Sequence, residues 1–190
     1  PFQLAIIPLI YAIAAGNAIT IKPSEISHNI SGKIKLMIQE LFNNNEVAVV
    51  EGDAMVASKL LSKPYNHIYF TGSPAVGKIV MKAAAEHLTS FTLELGGKSP
   101  VVIDETASIS SAAEKIAWAK CLNSGQTCIA PDYAFIHKSK TEAFIKAFEK
   151  TINKFYNSDS KGVENSPDYC RIINEKNHER VIALIDDAVN

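Results

Sequence analysis

Short runs of β-branched and aromatic residues alternate along this chain with longer segments of helical periodicity, and this alternation constrains the fold most strongly. Strands are predicted at 18–22, 47–50, 67–70, 91–95, 100–103 and 133–136. Helices are predicted at 4–15, 30–41, 54–61, 74–86, 109–120, 141–155 and 175–189. Strands that alternate with helices in this way form βαβ units, whose strands are parallel. The chain is therefore predicted to be an α/β protein.

The composition excludes several classes of protein. The 190 residues carry a net charge of -1 and no cluster of Lys and Arg, so a nucleic-acid partner is not predicted. The apolar stretch 4–15 contains Pro8 and is shorter than the roughly 20 residues of a membrane span, so we expect a buried core helix there. Three cysteines without metal-ligand spacing predict free thiols, no metal site and a reducing, cytoplasmic location.

The turn after the third predicted strand is a candidate phosphate site. Ser73 is placed to cap the following helix, and Pro74 suits its first position. The free amides of a helix N-terminus favour an anion, and Gly72 would allow close approach of the backbone. Alternatively, the turn only joins a strand to a helix, because the glycine spacing is not that of the dinucleotide fingerprint.

A second candidate ligand site follows the first predicted strand. Lys22 and Glu25 place an ammonium and a carboxylate at a strand end, where open parallel sheets bind ligands. The carboxylate would accept hydrogen bonds from ribose hydroxyls. In the alternative interpretation, Ser24 or Glu25 only caps the next helix.

Two residues are candidates for covalent chemistry. Cys128 lies in a loop that contains glycine and proline, where a thiol can be exposed and activated, although free cysteines often serve as small buried hydrophobes. Cys121 and Cys170 are interpreted as buried hydrophobes of that kind. Glu94 ends a strand among apolar neighbours, where a carboxyl is suited to act as a general base; the alternative is a solvated charge at a strand end.

Four segments together resemble the aldehyde dehydrogenase superfamily. FTLELGGKSP (91–100) and NSGQTCIAPDY (123–133) are similar to its two signature segments, in the same order and with Cys128 34 positions after Glu94. GNAITIKPSE (16–25) and FTGSPAVGK (70–78) resemble its two cofactor segments. The resemblance covers the whole chain, and 168–185 looks most like the class 3 and fatty aldehyde dehydrogenases.

The resemblance implies a Rossmann-like parallel sheet with helices on both faces, followed by the start of a second α/β catalytic domain. Residues 1–97 would be part of the NAD(P)-binding domain and 98–190 the N-terminal part of the catalytic domain, with Gly96-Gly97 as the hinge. Cys128 would be the nucleophile that attacks an aldehyde, and Glu94 the base that activates water to release a carboxylic acid.

The resemblance also implies a cofactor site and the state of the complete enzyme. The implied cofactor-binding residues are Lys22, Glu25, Gly72, Ser73, Val76 and Leu95. NAD is predicted as the cofactor, with NADP as the alternative, because a carboxylate at position 25 would repel a 2'-phosphate. The substrate would be a medium-chain, long-chain or aromatic aldehyde, and the complete enzyme a homodimer.

Two further expectations follow from the resemblance. The family's oxyanion asparagine would precede Pro1, and the chain looks cut at both ends, so the isolated 190 residues are expected to have little activity. Two alternatives stay open: a relative that passes its thioester to CoA or phosphate, and a noncatalytic nucleotide-binding module. The presence of Glu94 weighs against the first, and Glu94 with Cys128 weighs against the second.

Overall fold

The chain forms two compact units, Pro1–Leu95 and Gly96–Asn190, in a computed structural model that describes residues 1–189. The first unit consists of α1 (Phe2–Ala14), β1 (Ile19–Ile21), α2 (His28–Leu41), β2 (Val47–Val49), α3 (Ala54–Leu61), β3 (His67–Thr71), α4 (Pro74–Ala85) and β4 (Ser90–Glu94). The second consists of β5 (Ser99–Ile103), α5 (Ile109–Cys121), β6 (Pro131–Ile136), α6 (Thr141–Tyr156) and α7 (Glu175–Val189). The predicted α/β class is confirmed.

The strands pair in parallel, as the alternation predicts. β1 lies beside β2, β3 beside β4 and β5 beside β6. Each pair encloses at least one helix in its connection, which is the geometry of a βαβ unit. The carboxyl ends of paired strands therefore lie together: Ile21 is opposite Val49, and Thr71 is opposite Glu94.

A cluster of aliphatic side chains from three elements forms a core in the first unit. Leu9 of α1, Ile34 and Ile38 of α2 and Val47 of β2 are all buried. Ile34 and Ile38 are four residues apart, so they lie on one face of their helix, and each is 1% exposed. Burying such a side chain contributes about 1.5–3 kcal/mol, which fixes α2 against the strands.

The first helix is present and its Leu9 lies in the core, but the prediction of a buried core helix is wrong for its exposed face. Only Leu9 of α1 is fully buried, and Leu4, Ile10 and Tyr11 are each more than half exposed. The apolar residues of α1 occur all around its axis, whereas one face meets the described core. Pro8 lies inside the helix.

Small residues allow two helices to pack closely in the second unit. Ala113 and Ala117 of α5 have no exposed surface, and α5 packs against α6. Ile103 of β5 and Phe144 of α6 complete this core with Ala113. Phe144 is buried, and Phe148, four residues later on the same face of α6, packs against this core.

Across residues 1–189, no helix combines the length and the apolar character needed to cross a membrane. The same residues contain no group of three His, Cys, Asp or Glu side chains arranged to hold a metal ion.

Candidate active site

Lys22 and Glu25, two of the predicted ligand residues, lie together after the carboxyl end of β1. Lys22 Nζ lies 2.7 Å from Glu25 Oε2, and the ammonium is largely buried while the carboxylate is about half exposed. The hydrogen bond from Lys22 holds the pKa of the Glu25 carboxyl below its ordinary value. The Ser24 side chain caps no helix; its carbonyl oxygen instead accepts from the buried Ser31 hydroxyl at 2.7 Å.

Asp53, which the sequence patterns did not single out, follows the neighbouring strand. Its Oδ1 accepts from the amides of Met55 at 2.9 Å and Val56 at 3.2 Å, and so caps α3. Its negative charge also opposes that of Glu25. An Asp directly before a helical pattern is the signal that predicts such a cap.

The turn between β3 and α4 has the predicted cap. Ser73 Oγ accepts from the Val76 amide at 3.3 Å, and Pro74 stands in the first turn. The Gly72 amide donates to the Glu94 carbonyl oxygen at 3.0 Å. Pro74 has no N–H, and the N–H of Val76 is already bonded to the Ser73 cap. The backbone N–H of Ala75 is therefore the one in this turn that can face an anion.

Glu94 lies beside this turn, in register with Thr71 at the end of β4. Its side chain is exposed, so the apolar surroundings predicted for it are not provided by the described residues. The neighbouring Leu95 is half-buried against α4, where a Cβ added to Gly77 would come within 3.1 Å of its side chain. Val76, on the same helix, is 43% exposed. Gly72, Ser73 and Val76 thus lie with Glu94 and Leu95 at one end of the β3–β4 pair.

Cys128 occupies an exposed loop between α5 and β6, as predicted. The loop follows a turn in which Asn123, Ser124 and Gly125 all adopt left-handed backbone angles, with φ of 54°, 55° and 74°. The Ala130 amide donates to the Thr127 carbonyl oxygen at 3.0 Å and closes a turn around Cys128. An exposed thiol on a turn is accessible to an electrophile.

The other two cysteines differ in their surroundings. Cys121, at the end of α5, is partly buried, and burial raises the pKa of its thiol. Cys170 is exposed, so the interpretation of this residue as a buried hydrophobe is wrong in the described chain.

Gly97, the second glycine of the first signature segment, meets the cysteine loop inside the second unit. A Cβ added to Gly97 would lie 2.7 Å from the Cys128 carbonyl oxygen, closer than such atoms can approach. Next to this contact, Lys98 Nζ forms an ion pair with Asp132 at 3.0 Å. The loop that carries the thiol is thereby packed against the segment 97–98, a contact that the sequence patterns did not predict.

Comparison with known proteins identifies relatives along the full chain. The sequence model described as "Aldehyde dehydrogenase family" matches residues 1–190. The mouse protein named "Aldehyde dehydrogenase, dimeric NADP-preferring" is 45% identical over 186 residues, which are 98% of this chain and 40% of that protein.

Two solved structures are similar. The substrate-bound state of Staphylococcus aureus AldH has a TM-score of 0.88 and 47% identity over 98% of this chain and 40% of its own. PnpE in complex with nicotinamide adenine dinucleotide has a TM-score of 0.79 and 32% identity over 94% of this chain and 37% of its own. The chain thus spans about two fifths of the length of the proteins it matches.

Proposed function

Because this chain belongs to the aldehyde dehydrogenase family, we propose that the protein oxidises an aldehyde to a carboxylic acid through a thioester on Cys128, with a nicotinamide cofactor. The observation that carries this proposal is the exposed Cys128 thiol, which lies on a constrained loop in the segment that resembles the family's nucleophile. Glu94, at the end of β4, is the proposed base.

Cys128 is the nucleophile in this scheme. Its thiolate attacks the aldehyde carbonyl and forms a hemithioacetal, whose oxyanion the backbone N–H of Cys128 helps to hold. A nicotinamide held at the proposed cofactor site would serve as the acceptor of the hydride that this adduct loses on becoming a thioester. Glu94 then takes a proton from water, which attacks the thioester and releases the carboxylic acid and the thiolate.

The cofactor site is proposed at the carboxyl ends of the first two strand pairs. Lys22 and Glu25 would face the adenosine ribose, Ser73 with the adjacent amide the pyrophosphate, and Gly72, Val76 and Leu95 the wall beside them. The arrangement suits a dinucleotide, since it offers a cation, a carboxylate acceptor and a capped helix N-terminus at strand ends.

We propose NAD rather than NADP as the better cofactor. The carboxylate of Glu25 engages Lys22 at 2.7 Å, so it both repels a 2'-phosphate and occupies the cation that would pair with one. Glu25→Gln removes the charge and frees Lys22, and it should lower the KM for NADP relative to that for NAD by about tenfold. If the ratio of the KM for NADP to the KM for NAD is the same in Glu25→Gln and in the wild-type protein, this role of Glu25 is refuted.

The chemical proposal is tested in the whole protein that carries this chain. With hexanal and NAD, Cys128→Ala should lower kcat at least roughly a thousandfold. Cys170→Ala, which removes another exposed thiol, is the matched control and should retain turnover. Undiminished kcat in Cys128→Ala would refute the proposal.

Glu94 is tested by separating its step from thioester formation. Glu94→Gln should leave a first burst of NADH but slow steady turnover about 10²- to 10⁴-fold, because water then lacks its base. Product analysis with and without CoA completes the test. Hexanoyl-CoA in place of hexanoic acid would show that the thioester passes to CoA, and neither product would indicate a noncatalytic nucleotide-binding module.

The remaining features of the whole protein are proposals as well. We assign residues 1–97 to the cofactor-binding domain and 98–190 to the catalytic domain, with Gly96-Gly97 as the hinge. A homodimer is supported by the word dimeric in the name of the mouse relative. A cytoplasmic location is supported by three cysteines that are all free thiols.

A further inference from the structure

One side chain of the cysteine loop ties that loop to a distant segment of the second unit. The Gln126 Nε2 donates to the carbonyl oxygens of Asn123 at 2.9 Å and Arg171 at 3.1 Å. Its Oε1 accepts from the Ile173 amide at 2.9 Å. The nitrogen and the oxygen of this side-chain amide are therefore both bonded to backbone atoms. If the two were exchanged, an oxygen would face two carbonyl oxygens and an NH₂ group would face the Ile173 N–H.

The segment that Gln126 holds has no strand or helix of its own. Arg171 and Ile173 lie in the coil that leads into α7. The carbonyl oxygen of the preceding Cys170, a backbone group that any residue supplies, accepts from the Ser124 hydroxyl. This coil and the cysteine loop are thus joined by hydrogen bonds between the Ser124 and Gln126 side chains and backbone groups of Cys170, Arg171 and Ile173.

The loop needs such support because its backbone is unfavourable. Asn123 and Ser124 adopt φ of 54° and 55° in succession before Gly125, and residues with a Cβ rarely take left-handed angles, least of all in a run. The backbone N–H of Gln126 also donates to the Asn123 carbonyl oxygen, at 3.1 Å. Without these bonds, the turn would relax and redirect the loop after it.

We propose that Gln126 is a positioning residue for Cys128: its amide holds the left-handed turn in place, and the turn sets the direction of the thiol two residues later. This inference rests on the proposed function, in which Cys128 is the nucleophile. Gln126 touches neither substrate nor cofactor in this scheme. A displaced sulfur would attack less often, while the binding of aldehyde would change little.

The test compares Gln126→Met with Gln39→Met in the whole protein. Gln126→Met removes all three side-chain hydrogen bonds of Gln126 and leaves a side chain of similar volume. Gln39→Met makes the same substitution on an exposed face of α2. Steady-state rates with hexanal and NAD are divided by the amount of Cys128 that iodoacetamide labels, measured by peptide mass mapping. Folded protein is isolated by size-exclusion chromatography before both measurements, because unfolded chains would be labelled as well. For Gln126→Met we expect kcat per labelled Cys128 to fall about tenfold to hundredfold with little change in KM.

Gln126→Glu supplies an independent readout. Above the pKa of the new carboxyl, a carboxylate would face the carbonyl oxygens of Asn123 and Arg171, whereas a protonated carboxyl donates to one of them. Its kcat per labelled Cys128, relative to the wild-type protein at the same pH, should rise as the pH is lowered from about 8 towards about 5. A merely structural role predicts no such recovery per labelled site.

The outcomes separate this inference from the function on which it rests. If Cys128→Ala abolishes turnover but Gln126→Met matches Gln39→Met per labelled site, the positioning role is wrong and the proposed function stands. If Cys128→Ala retains turnover, the proposed function itself fails. A reduced kcat per site in Gln126→Met, together with the pH-dependent recovery in Gln126→Glu, supports the positioning role.

Discussion

Adding one methyl group at Gly97 should displace the nucleophile. The new Cβ would stand 2.7 Å from the Cys128 carbonyl oxygen, whereas ordinary contact begins near 3.4 Å, so the two segments must separate by about 0.7 Å. Because the obstacle is backbone, no side-chain rotation relieves it. Overpacking of this kind costs about 1–3 kcal/mol, and a shift approaching 1 Å at a reacting group lowers kcat by up to roughly a hundredfold.

Gly96→Ala is the matched control for Gly97→Ala. Among residues 1–189 and apart from its two chain neighbours, a Cβ at Gly96 meets no atom within 4 Å, and neither glycine has left-handed backbone angles. Unfolding in urea and kcat per labelled Cys128 are measured for both variants of the whole protein. We expect Gly97→Ala to lose stability and turnover, and Gly96→Ala to stay within about 0.5 kcal/mol of the wild-type protein. Equal behaviour of the two variants would refute the steric reasoning.

The other predictions concern pH, capping and thiol reactivity. Since Lys22 lowers the pKa of Glu25, this carboxylate should stabilise the fold above its ordinary pKa of 4.5 and lose that effect as the pH falls through the lowered value. Glu25→Gln should thus cost about 0.2–1 kcal/mol at pH 7 in urea unfolding, because the pair is partly exposed, and progressively less as the pH falls through the lowered pKa. Asp53→Ala should cost about 1 kcal/mol in the same assay and Asp53→Asn much less, since Asn still caps α3; equal losses would contradict the cap. Iodoacetamide at pH 8 should label Cys121 more slowly than Cys170, because burial raises the Cys121 pKa, and the reverse order by mass mapping would contradict this.

Much of the local structure was predictable from short-range patterns. The alternation of strands and helices, the Ser73 cap and the exposed loop around Cys128 each depend on residues that are near in sequence. The periodicity of a helix and the chemistry of a cap act over three or four residues, so the sequence carries them directly.

Burial was predicted less well. The first helix has one buried face and Glu94 is exposed, although both were expected among apolar neighbours. An apolar run indicates that surface is available for packing, but the partners that cover it come from other elements. Composition alone does not say which side chains those elements supply.

The order of residues along the chain was enough to predict the elements, their parallel pairing and the residue types suited to the chemistry. Two contacts are visible only in the folded chain: Gln126 bonds to Arg171 and Ile173, which are 45 and 47 residues away, and Gly97 packs against the Cys128 carbonyl. Such contacts form only where segments that are distant in the chain return to one place. No periodicity in the sequence encodes that return, because each partner is a backbone group that any residue could provide.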